Sequence, residues 1–121
     1  MKLKCNCTIE NDEEFFKQKY IIMRDYNNKE EEEYFLYSTK GFYFHEEIFN
    51  NFLLKYSNEK QNLQVDGGGI LEVDRMKKYL LTFGMSGQYG LPGYYSLNEC
   101  FNSCKEFEDF SKYLSTSKII Y

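Results

Sequence analysis

Tryptophan is absent from the chain, and proline and histidine occur once each, as Pro92 and His45. Without tryptophan, the 19% aromatic share falls to twelve Tyr and eleven Phe. These must fill the core, with the Tyr hydroxyls finding partners at its rim. No stretch approaches the roughly 20 consecutive apolar residues needed to cross a bilayer. The basic start Met1-Lys2-Leu3-Lys4 has no apolar segment of a secretory signal behind it. Positive charge is also scarce: 15 Lys and Arg against 19 Asp and Glu leave a net charge of −4. That argues against a general nucleic-acid binder, which needs a basic face to neutralise phosphates, but leaves room for a local cationic pocket holding one phosphoryl group. Internal repeats and linkers are missing too. A length of 121 residues with 42% hydrophobic content suits one core. The expectation is a single domain over 1–121, soluble and cytoplasmic, with no nucleic-acid or membrane partner.

The four cysteines are Cys5, Cys7, Cys100 and Cys104. In the absence of a secretion signal, reduced thiols are the expectation. A C-x-C plus C-x-x-x-C set can in principle build a four-sulfur zinc site. The second pair, however, has helical i, i+4 spacing beside Leu97 and Phe101, where core packing accounts for cysteine well. No metal is expected.

Along the chain, residues 8–14 read as an irregular, acidic lead-in. Lys19 to Arg24 is rich in strand formers, the charge run Lys29 to Glu33 reads as a solvated loop, and Tyr34 to Tyr37 as a second strand. After His45, the residues Ile48, Phe49, Phe52, Leu53 and Tyr56 share one helical face, predicting a helix over about 46–57. Val65 to Val73 reads as strand, glycine segment, strand, and Lys77 to Phe83 as a further strand. Ser96-Leu97-Asn98-Glu99 has the capping-box pattern and opens a second helical region to about Leu114. Ser117 to Tyr121 reads as a closing strand. The fold class is therefore α/β, a single compact domain with a mixed β-sheet flanked by two helical regions.

Three features point toward phosphoryl chemistry. His45 stands at or beside a helix N-terminus, whose dipole disfavours imidazolium, while Glu46 and Glu47 push the other way. A neutral ring can take a proton from water or attack phosphorus itself. The small-residue loop Gly84-Met85-Ser86-Gly87-Gln88-Tyr89-Gly90 can turn successive backbone N–H groups toward an anion, with a hydroxyl from Ser86. Lys19, at a strand start, supplies a point charge for a phosphoryl oxygen. The triplet Gly67-Gly68-Gly69 has neither the Walker lysine nor the dinucleotide-binding spacing, and reads as a bulge or a close backbone approach.

In order, these pieces resemble the Janus-type family of small phosphohistidine phosphatases. The likeness runs through Lys19-Tyr20-Ile21-Ile22-Met23-Arg24, Phe44-His45-Glu46-Glu47-Ile48-Phe49, Gly67 to Gly69, Lys77-Lys78 and the Gly84 to Gly90 loop. The resemblance implies a compact α/β sandwich that hydrolyses the P–N bond of phosphohistidine on proteins, and of phospholysine as a further substrate, without a metal or other cofactor. It makes His45 the catalytic base or nucleophile, Lys19 a substrate-binding lysine, and Ser86, Gly87 and Gln88 the phosphate-holding loop. Phosphohistidine-bearing proteins are the expected partners, and the expected state is monomeric. Ile70 and Tyr37 stand where the family commonly has basic residues, which leaves Arg24 and Lys40 as cations to compensate. A non-catalytic phospho-binding or regulatory protein of the same fold is the alternative.

Overall fold

The computed structural model describes residues 2–116. Its elements in chain order are β1 (Lys2–Glu10), β2 (Phe15–Asp25), β3 (Glu31–Thr39), α1 (His45–Tyr56), β4 (Leu63–Asp74), β5 (Tyr79–Phe83), α2 (Tyr94–Asn102) and β6 (Ser111–Tyr113). A 3-10 turn at Lys105–Phe107 links α2 to β6. The strands form one six-stranded sheet in the order β1-β3-β2-β4-β5-β6. Both edge strands pair parallel to their neighbours, and the interior pairings are antiparallel. The expected mixed sheet with two helices is the observed one.

Alternation along β2 assigns the two faces of the sheet. Ile21 and Met23 join Tyr37, Ile48, Phe52 and Leu63 beneath α1. Phe16, Tyr20 and Ile22 join Leu36, Leu71, Val73, Leu80, Leu97, Cys100, Phe101 and Phe107 beneath α2. Helix α1 fully buries only Ile48 and Phe52. At about 1.5–3 kcal/mol per buried side chain, those two contacts hold down a 12-residue helix that would be marginal alone.

Several local expectations are corrected. The N-terminal segment is strand β1, whose Cys5, Cys7 and Ile9 pack on the α2-side core. Strand β4 runs unbroken through the triple glycine. Ile22 pairs with Gly67 and Met23 with Val65, so Asp66 is the extra residue of a bulge. Helix α2 begins two residues before Ser96 on the N-cap Gly93. Ser96 lies inside it, donating to the Gly93 carbonyl at 3.2 Å rather than capping. The helix stops at Asn102, and β6 replaces its expected continuation. The closing strand expected at Ser117 to Tyr121 lies outside the described residues. Cys7 and Cys104 are joined in a disulfide, against the expectation of reduced thiols. Their side chains meet because β1 and the end of α2 share one core layer.

Candidate functional site

A cleft of about 580 Å³ opens on the α1 side of the sheet. It is lined by Lys19 from β2, Tyr43, Phe44 and His45 at the start of α1, Ile70 from β4, and Gly84 to Gln88 of the loop after β5. Lys19, His45, Ser86, Gly87 and Gln88, from three distant stretches of sequence, therefore share one cavity. Sheet register explains the floor: Lys19 pairs with Ile70, and Ile70 with Phe83, across three neighbouring strands.

His45 is the first residue of α1, behind the N-cap Phe44. The Phe44 N–H donates to the Glu47 carboxylate at 2.8 Å, which satisfies one helix-end donor and fixes the turn. The imidazole reaches across to β4, where Nε2 meets the Gly69 carbonyl oxygen at 2.9 Å. A carbonyl only accepts, so Nε2 carries the hydrogen and Nδ1 keeps the lone pair. Burial holds the ring below the ordinary histidine value of 6.5, and the charge of Lys19 adds to that effect. The bond to Gly69 opposes them without reversing the sign. His45 is thus a neutral base at pH 7, oriented by a backbone carbonyl.

The triple glycine makes this arrangement possible. A Cβ on Gly68 would stand 2.7 Å from the Tyr20 carbonyl oxygen and 3.0 Å from His45 Cδ2. On Gly67 it would strike Pro92 at 2.5 Å. Strand β5 pairs with β4 only as far as Ile70. Beyond that point the loop takes its place: the Ser86 N–H donates to the Gly68 carbonyl, and the Gly68 N–H to the Gly90 carbonyl, both at 3.0 Å. The triplet reads in sequence as a bulge or a close backbone approach, whereas in the structure Gly69 also orients His45. Three successive glycines in one strand were the available signal.

The loop residues differ in what they offer a ligand. Ser86 is buried, its N–H is spent on Gly68, and its Oγ accepts from the Tyr89 N–H at 3.1 Å. It shapes the loop, and only its hydroxyl hydrogen remains to donate. The exposed Gly87 and Gln88 keep backbone N–H groups without a partner among the described residues. Lys19 Nζ lies 5.9 Å from the centre of the exposed Tyr43 ring. Neither proposed compensating cation lines the cleft. Arg24 pairs with Glu32 at 3.5 Å and stacks on Tyr26 and Tyr34, while Lys40 lines a separate cavity with Glu10 and Arg75. Tyr37 is fully buried under α1, donating to Glu10 and accepting from Asn51 at 2.7 Å.

The molecule is thus a single-domain α/β protein presenting one neutral imidazole, one lysine and a small-residue loop in a common cleft. It belongs to the Janus/Ocnus family, whose model matches residues 8–111. A search of the curated proteins gave no match. No helix among the described residues is long and apolar enough to cross a membrane.

Proposed function

We propose that the protein hydrolyses the P–N bond of phosphohistidine carried on other proteins, with His45 as the base that activates water. The supporting observation is the neutral His45 ring, its Nε2–H held by Gly69, in one cleft with Lys19 and the unpartnered Gly87 and Gln88 amides. Nδ1 accepts the proton of the attacking water. Lys19 and the two amides stabilise charge on the equatorial phosphoryl oxygens of a loose, in-line transition state. The leaving imidazole takes a proton from solvent as the P–N bond breaks, and His45 returns its own proton to solvent, so the step balances without a metal.

The test is phosphate release from phosphohistidine in the presence of a chelator. His45→Ala should slow release by about 10²–10⁴-fold, the ordinary worth of a positioned base. Equal rates for the two proteins overturn the reading. Ile70 stands beside Lys19, leaving that lysine as the one cationic side chain among the lining residues. This favours, as second reading, a phospho-binding protein without turnover. Saturable phosphopeptide binding with no phosphate release selects it.

A further inference from the structure

The four cysteines are not used by the cleft, yet the fold brings all of them to one interface. In a strand, residues i and i+2 share a face about 6.6 Å apart, so Cys5 and Cys7 both face the α2-side core. Cys100 lies in α2 and Cys104 two residues beyond its end, and both belong to the same core layer. Cys7 is bridged to Cys104, with Cα atoms 5.7 Å apart. Alongside that bridge, the Cys5 and Cys100 thiols are free, and Cys5 packs against the core cluster that contains Cys100. We propose that Cys5 and Cys100 form a redox-active dithiol site that exchanges with a low-molecular-weight disulfide of the glutathione class, closing a second bridge beside the first.

Exposure fixes the order of events. Cys100 is fully buried and cannot meet a ligand from solution, whereas Cys5 is half-buried on an edge strand. The Cys5 thiolate attacks one sulfur of the incoming disulfide, forming a mixed disulfide and releasing the first small thiol. Cys100 then gives up its proton, attacks the Cys5 sulfur and releases the second small thiol. Two protein thiols are oxidised and one small disulfide is reduced to two thiols. The neighbouring Cys100 draws the Cys5 thiol below its ordinary range. The same contact, with burial, pushes the Cys100 thiol up. Those directions suit an attacking and a resolving thiol respectively. The first bridge already ties the two chain segments together.

The experiment treats the whole folded chain with oxidised glutathione, quenches with acid, alkylates after unfolding and maps the peptides. Alkylatable thiols should fall from the two free ones to none, with a linked Cys5–Cys100 peptide. Cys100→Ala should trap glutathione on Cys5, and Cys5→Ser should leave Cys100 a thiol. Three results overturn the proposal: both thiols surviving treatment of the unsubstituted chain, glutathione persisting on its Cys5, or stoichiometric zinc held by all four sulfurs. If Cys100→Ala fails to fold, the unsubstituted chain and Cys5→Ser decide the matter alone.

Discussion

The imidazole of His45 is held neutral by burial and by the charge of Lys19, against one hydrogen bond that favours its protonation. A base lowered in this way loses activity only as pH falls through its own depressed value. The acid limb of kcat/KM should therefore lie below pH 6.5, the ordinary histidine value. Lys19→Met removes the neighbouring charge, so the limb should move up toward 6.5 while the rate falls. A pH–rate profile of both proteins checks this, and an acid limb above 6.5 in the unsubstituted protein contradicts it. The identity of the residue was legible in the sequence, since one histidine stood at one helix start. The sign of its shift was not, because the helix end and Glu46-Glu47 pull in opposite directions. Burial and Lys19, which decide it, arrive from strands far away in sequence.

Strand β4, helix α1 and the 84–90 loop meet at Gly68. Gly68→Ala inserts a methyl group 2.7 Å from the Tyr20 backbone and 3.0 Å from the His45 ring. Such overpacking should cost about 1–3 kcal/mol of stability. It should also displace the imidazole, lowering kcat/KM in protein that still folds. Urea titration and steady-state rates together measure the two effects, and an unchanged rate would separate Gly68 from the seating of His45. The long elements, β2, β3, α1 and β5, were readable because their apolar periodicity is strong. The short β6 carried no such signal in its three residues. In β1 the alternation of Leu3, Cys5, Cys7 and Ile9 was present but obscured by cysteines that also fit other roles. The capping-box pattern at Ser96 misplaced the start of α2, because Gly93 supplies the N-cap instead.

Across the whole molecule, the Cys7–Cys104 bridge spans 97 positions and ties the first strand to the end of α2. A closed ring near that size removes on the order of 4–5 kcal/mol of unfolded-chain entropy in the simplest account, and removing a native bridge typically costs about 2–5 kcal/mol. Cys7→Ser should lose stability of that order, with a lower Tm, and reductant should lower the unsubstituted protein comparably. Paired thermal melts test this, and matching Tm values with and without reductant would count against it. At this scale the sequence disclosed the α/β class and the ordered pieces of the cleft. It did not disclose the pairing of cysteines nearly a chain length apart. The loop seated on Gly68 has a further consequence. Because it completes the sheet through both the N–H and the C=O of Gly68, it cannot drift by small degrees. It either keeps its two bonds or gives up both, so its opening is a cooperative local unfolding step. The free energy of that step is set by the strand beneath it, and the posture of the anion-facing amides inherits the stiffness of the sheet.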